Sequence, residues 1–470
     1  QIGELLNAVV ELAEIPAVQS IDPWPEFSLR SSTVRGLVQS GQINATPLYD
    51  RGLTGQEHII GIVDSAIDPN HCAFFDPLAP VGPNHRKIVS YNTNLGIANH
   101  GTHVAGIAAG DAGAFDDNRG VAYNARIAYN AVPTALDETQ IYNRWETNRL
   151  EGAFIHSNSW GNNGTTAYDV TARAVDNFMW NNQESLVVVA AANQPLIRNP
   201  ENAKNSLAVF ATGDAGSEEN WASGGRGPTI DQRRKPEVGA PGEQIAAAWA
   251  NQGCATITLT GTSMATPAVS AIAMLTREYF VRGFYPSGNA TPGDTMIPSG
   301  ALLRAMSINS AVDMSGIAGY PSTQEGWGRI IADGTLYFTG DARRLLVRDV
   351  YNNSPAALAT AEVSYVRVAV PADLVGTLRA TLTFTDAPGS VLSSAPVVNN
   401  LNLVLHAPDG ARYLGNNVVN GVSLSFAAGG TATDPINNAE QVILPVATPG
   451  VWVIEVRAAN VASAQTQGFG

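Results

Sequence analysis

From about residue 57 to residue 332, short apolar runs rich in β-branched residues alternate with helix-like stretches, and this alternation restricts the fold more than any other feature of the chain. Residues 58–63, 126–132, 153–157, 185–191 and 206–211 read as strands. The first four are apolar throughout or nearly so, as strands buried on both faces of a parallel sheet should be. Helix-like segments at 103–109, 137–150 and 168–181 fall between them, and a long one follows residue 261. That order predicts an α/β fold in which helices sandwich a mostly parallel central sheet.

Beyond about residue 337 the helical pattern stops and hydrophobicity alternates with period two. Leu378, Ala380, Leu382 and Phe384 share one face of a strand, while Arg379, Thr381, Thr383 and Thr385 share the other. Leu401, Leu403 and Leu405 repeat the pattern, as do Trp452, Ile454 and Val456, with a Pro408-Asp409-Gly410 turn between them. The expected organisation is an N-terminal arm at 1–30, an α/β domain at 31–336 and an all-β sandwich or jelly roll at 337–470. A chain of 470 residues accommodates two domains comfortably.

Charge narrows the partners. With 27 basic against 41 acidic residues the formal charge is -14, which disfavours nucleic acid and anionic membranes. The longest clean apolar run, 186–192, is too short to span a bilayer. Two cysteines, Cys72 and Cys254, are too few for a disulfide framework or a structural zinc site. One bridge and two buried thiols both remain open, with thiols the preferred reading.

Three strand-to-helix junctions carry the three residue types of a nucleophilic triad. Asp64 ends the strand IIGIVD, His100 opens HGTHVAGIAAG, and Ser263 sits in GTSMATP ahead of the long helix. A hydroxyl of high pKa needs an imidazole to take its proton, and the imidazole needs a carboxylate to fix its tautomer. Ser263 would attack, His100 would carry the proton and Asp64 would orient His100. Small neighbours such as Gly261, Thr262 and Ala265 leave room for a substrate backbone, and the helix start aims N–H groups at a developing oxyanion. Singly, each residue reads as a turn former, an ordinary histidine or a helix cap. Jointly, in the order Asp, His, Ser, they point to nucleophilic catalysis by a serine triad.

The blocks VDSAID, HGTHVAG and GTSMATP resemble the three signatures of the subtilisin-like serine peptidases. The resemblance implies a subtilisin-like fold, hydrolysis through an acyl-enzyme, protein or peptide substrates, and no cofactor for the chemistry. SNSWG, residues 157–161, is similar to the family's substrate-binding strand, which makes Ser157, Asn158, Ser159, Trp160 and Gly161 candidate substrate contacts. VVVAAANQ is similar to the block ending in the oxyanion asparagine, here Asn193, preceded by the substrate-binding candidates Ala191 and Ala192. GRGP, RRKPEVGAPG, GYPSTQEGWGR and, further on, LTFTDAPGS, VVNNLNLVLHAPDG and NNAEQVILPVATPGVWVIEVRAANV resemble the oxidatively stable alkaline subgroup, whose members carry a C-terminal jelly roll.

Departures from the pattern bear on specificity. Ala66 and Ala192 replace glycines, and Phe210 stands where the family has a glycine at the base of the S1 pocket. A ring pointing inward would leave a shallow S1 site favouring Gly, Ala or Ser at P1, whereas a ring turned into the core would leave the pocket open.

The segment IDPWPEFSLR resembles the end of a family propeptide, implying a pro-tail processed near Ser31, with a permanent arm as the alternative. The family implies a secreted monomer whose signal peptide is absent from this chain. Structural calcium is also implied, with the metal ligands unknown. Asp386, Asp409, Asp434 and Glu440 are the acids available for it, while Asn400 and Asn402 stand where related sequences have aspartates. Two other functions use the same scaffold. A tripeptidyl-type exopeptidase would block the cleft, for which the helix-rich stretch 133–152 is a candidate, and an inactive binding scaffold would discard triad residues.

Overall fold

The apolar runs pair side by side. A computed structural model describes residue 15 and residues 30–113, 118–135, 137–372, 376–426 and 433–470. Its central sheet takes strands β1 (Ile59–Asp64), β2 (Ile88–Asn92), β3 (Arg126–Ala131), β4 (Ala153–Asn158), β5 (Leu186–Ala190), β6 (Leu207–Thr212), β7 (Trp221–Ser223) and β8 (Val238–Pro241). Every residue of β5 and β6 is buried, which is why these strands show no polar alternation. The strands run β8-β6-β5-β4-β1-β3-β2, parallel throughout, with β7 antiparallel beside β6.

β1 lies between β3 and β4, so the chain leaves it towards one side of the sheet and later returns to the other. Right-handed crossovers in opposite directions place their helices on opposite faces. Helix α1 (Arg30–Ser40), helix α2 (Asn99–Ala109) and the later helix α5 (Thr262–Val281) form one packed group; helices α3 (Glu138–Leu150) and α4 (Val170–Asn181) form the other. Asp137 and Asp169 cap α3 and α4, accepting bonds from Gln140 N–H and Thr171 N–H. The carboxyl end of β1, where strand order reverses, is where such sheets build their sites.

A hairpin of β9 (Ile245–Ala248) and β10 (Thr256–Leu259) leads into α5, and helix α6 (Gly300–Ser310) precedes β11 (Ala311–Val312) and β12 (Arg329–Ile330) at the sheet edge. The C-terminal strands are β13 (Val363–Val370), β14 (Leu378–Thr383), β15 (Asn399–His406), β16 (Arg412–Val419), β17 (Val422–Phe426), β18 (Ala439–Leu444) and β19 (Gly450–Val461). They make antiparallel sheets β13-β19-β15-β16-β17 and β14-β18. Leu382 and Val442 of the smaller sheet meet Leu401, Leu403, Leu405 and Trp452 of the larger in one core, so the period-two pattern did select the inward face.

One expectation changes here. Cys72 and Cys254 are joined in a disulfide rather than left as thiols, their Cα atoms 5.1 Å apart. The loop after β1 and the β9–β10 turn meet because Cys72 N–H bonds Gly253 O and His71 Nε2 lies 2.9 Å from Ala255 O. The arm expected at residues 1–30, read as a pro-tail or a permanent arm, lies outside the described residues apart from Ile15 and Arg30.

Candidate active site

Asp64 is the last residue of β1, and its side chain is 2% exposed. Its Oδ1 accepts from Ser65 N–H at 2.7 Å and lies 2.6 Å from His100 Nδ1. His100 stands in the first turn of α2, which can approach β1 so closely only because Gly101 follows it. A Cβ at Gly101 would collide with the Ser65 carbonyl. Ser65 completes the clasp: its hydroxyl donates to Asp64 Oδ1 at 3.1 Å and accepts from Gly101 N–H at 2.9 Å. Tyr129 Oη on β3 holds the Asp64 carbonyl at 2.9 Å. Neither Ser65 nor Tyr129 carries a sequence signal, since each works through a neighbour in space.

The His100 ring is 41% exposed at its side chain, and its Nε2 meets no partner among the described residues. Burial pulls its pKa down, but the hydrogen bond and charge of Asp64 outweigh this and raise it above the ordinary 6.5. His103 differs. It is fully buried, its Nε2 lies 3.0 Å from both Ile245 O and Ile257 O, and burial lowers its pKa to about 4. It pins α2 to the β9–β10 hairpin.

Ser263 occupies the first turn of α5 behind Gly261, whose φ of 150° favours glycine. Its hydroxyl donates to Ser159 O at 3.3 Å, and no hydrogen bond joins it to His100. Asn193, just past β5, accepts at Oδ1 from Thr262 N–H (3.0 Å), Thr262 Oγ1 (3.2 Å) and Ser223 Oγ (2.7 Å). Its Nδ2 donates to nothing among the described residues. Parallel strands put the ends of β1, β4 and β5 on one edge of the sheet, so Asp64, Ser159 and Asn193 line that edge together with His100 and Ser263.

The expected substrate strand divides in two. Ser157 and Asn158 are buried, and Asn158 Oδ1 accepts from Trp145 Nε1 (2.9 Å) and Trp160 Nε1 (3.2 Å), so its side chain anchors the strand from below. Ser159, Trp160 and Gly161 come progressively to the surface. Ala191 is buried, while Ala192 is partly exposed with φ of 51°, the left-handed region in which a glycine is easier to place. Phe210 is fully buried, and its ring covers Gly239 on β8, the neighbour of β6 on the far side from β5 and Ala192.

The acids proposed for calcium do not gather. Asp386 Oδ2 lies 2.8 Å from Lys204 Nζ and both its oxygens accept backbone N–H bonds. Glu440 is buried with Oε2 on Leu403 N–H, Asp434 is bonded to Asn416 and Asn437, and Asp409 caps an exposed turn. Asn400 and Asn402 each keep a buried Oδ1 without a partner among the described residues. Among the described residues no three His, Cys, Asp or Glu side chains are placed to hold a metal ion. No helix among them is long and apolar enough to cross a membrane.

The chain is similar to several known proteins. "Serine protease/ABC transporter B family protein tagB" of Dictyostelium discoideum is 26% identical over 84% of this chain, but only 28% of that protein's length is spanned. An "Extracellular serine proteinase" of a Thermus species is 28% identical over 58% of this chain and 64% of its own. Among solved structures, the prenylagaramide maturation protease PagA aligns with a TM-score of 0.46 at 22% identity, covering 61% of this chain and 95% of that one. Residues 55–328, more than half the chain, match the Subtilase family, Peptidase_S8. The chain therefore belongs to the subtilase family of serine peptidases.

Proposed function

We propose that this chain is a serine endopeptidase that cleaves proteins through Asp64, His100 and Ser263. The observation carrying the proposal is the 2.6 Å contact between Asp64 and His100, which leaves Nε2 unpartnered on the sheet edge that also bears Ser263 and Asn193. Asp64 fixes the proton on Nδ1, so Nε2 is the basic nitrogen. Once Ser263 Oγ leaves the Ser159 carbonyl, Nε2 takes its proton as the oxygen attacks the scissile carbonyl. Catalytic hydrogen bonds are often formed only with substrate present. The tetrahedral oxyanion would be met by Asn193 Nδ2 and by N–H groups at the start of α5. His100 then protonates the leaving amine, and water hydrolyses the acyl-enzyme by the same route. Comparing wild type with Ser263→Ala on casein and on aminoacyl chromogenic peptides tests the assignment. Casein left intact by wild type would remove the endopeptidase reading, and activity confined to peptides with free N-termini would favour the exopeptidase.

Two predictions belong to this reading. Because the base must be neutral and Asp64 favours the imidazolium, kcat/KM should fall as pH drops through a midpoint above 6.5. A pH–rate profile measures it, and a midpoint below 6.5 would remove Asp64 from its role. Secondly, a Phe210 ring turned towards β8 leaves the S1 pocket its depth, so a peptide library should show Phe, Leu or Tyr accepted at P1. Restriction to Gly, Ala and Ser would restore the shallow pocket. The similarity to an extracellular proteinase supports secretion. Calcium, where bound, would act on stability and not on the chemistry.

A further inference from the structure

Helix α5 contains Pro267, four residues after Ser263. In a regular helix the N–H of residue 267 would bond the carbonyl of residue 263, but proline has no N–H and its ring crowds that carbonyl. The proposed nucleophile therefore sits in a turn whose own helix cannot secure it. A buried carbonyl without a donor is costly, so something else must serve it. The donor is Ser159 Oγ, 3.0 Å from Ser263 O, reaching across from the segment after β4. Both serines are buried, at 7% and 9% exposure. The neighbouring hydroxyls of Thr266 and Ser270 bond carbonyls of their own helix, Thr262 O and Thr266 O, both at 2.8 Å. The Ser263 carbonyl is supplied from another element.

We propose that the Ser159 side chain is a positioning residue for the nucleophile, replacing the helical hydrogen bond that Pro267 removes. This rests on Ser263 being the nucleophile. The Ser159 hydroxyl fixes the peptide plane after Ser263 and with it the direction of the Ser263 Cα–Cβ bond. Its task is thus separate from any contact that the backbone of residues 157–161 makes with substrate, and alanine at 159 keeps that backbone. The pairing of Pro267 with Ser159 also gives the proposal a signature no merely structural role would produce, because alanine at 267 regains an N–H able to bond Ser263 O.

The test is a double-mutant cycle of Ser159→Ala and Pro267→Ala. Two readouts are followed, kcat and KM for a chromogenic peptide and the rate at which phenylmethanesulfonyl fluoride modifies Ser263. In the native background Ser159→Ala should lower kcat and the sulfonylation rate about tenfold with KM within about twofold, a fold-change of ~1.4 kcal/mol. In the Pro267→Ala background the same substitution should cost less than about twofold. Equal losses in the two backgrounds, an unchanged sulfonylation rate in Ser159→Ala, or an effect on KM alone would overturn the proposal while leaving the triad intact. Peptidase activity surviving Ser263→Ala would overturn the triad assignment, and this proposal with it.

Discussion

Ser263→Ala should lower kcat for peptide hydrolysis by about a millionfold while KM stays within a few-fold. The size of the loss follows from what surrounds the site. Each nearby hydroxyl is already committed as a donor: Ser159 Oγ to Ser263 O, Thr262 Oγ1 to Ala192 O and Asn193 Oδ1, Thr266 Oγ1 to Thr262 O. None can turn towards His100 Nε2 without giving up an acceptor it now serves, so no neighbour substitutes for the missing oxygen. Asn193→Ala leaves nucleophile and base in place and removes one oxyanion donor, for a loss of about a hundred- to a thousandfold. Joined to Ser263→Ala it should add far less, because groups serving one transition state do not act independently. Active-site titration together with initial rates distinguishes these variants. Ser263→Ala retaining more than about one per cent of wild-type kcat would place the nucleophile elsewhere.

The proposed triad could be named from the sequence because its chemistry forces residue types and chain order into short blocks, and the central strands were legible because burial on both faces makes them apolar throughout. Other elements escaped for physical reasons. β8 holds a glycine and a proline and is a strand only because β6 and β12 flank it. β2 lies at the sheet edge, where Ser90, Tyr91 and Asn92 break the apolar run. Phe210 shows a different limit. The sequence assigned its strand, but the direction of its ring depends on Gly239 offering space on the next strand, which no local pattern records. The disulfide joins residues 182 positions apart, and nothing local to either cysteine announces the other. Ser65 and Ser159 stood in full view inside recognised blocks, yet their hydroxyls bond Gly101 N–H and Ser263 O on other elements, contacts that become visible only when those elements meet.

Long-range pairing also underlies the largest expected effect on stability, from Lys204→Met. Lys204 is wholly buried ahead of β6, and its ammonium lies 2.8 Å from Asp386 Oδ2 and 3.8 Å from Asp176 Oδ2. It also donates to Ala387 O and to Pro396 O, the latter at 2.9 Å. One cation thus holds two buried carboxylates and two carbonyls, joining the α/β layers to the C-terminal strands. Asp386 accepts Val398 N–H and Asn399 N–H as well, so it cannot turn away when its cation is lost. Removing one partner of a buried pair leaves an uncompensated charge, and the expected cost is about 3–5 kcal/mol. The sign of the pH dependence follows. Burial raises the Asp386 pKa while Lys204 lowers it, with a net rise already in the native protein. Without Lys204 the rise grows, and the carboxyl becomes neutral at higher pH. The deficit should therefore be largest near neutral pH and shrink as acid protonates Asp386. Adding Asp386→Asn should restore part of the loss, because a neutral buried amide costs less than an unpaired carboxylate. Denaturant unfolding of these variants in the Ser263→Ala background, where self-digestion is suppressed, measures all three quantities. If Lys204→Met unfolds within about 1 kcal/mol of its parent, or if the double variant is no more stable than the single, the buried ammonium is not what holds this junction together.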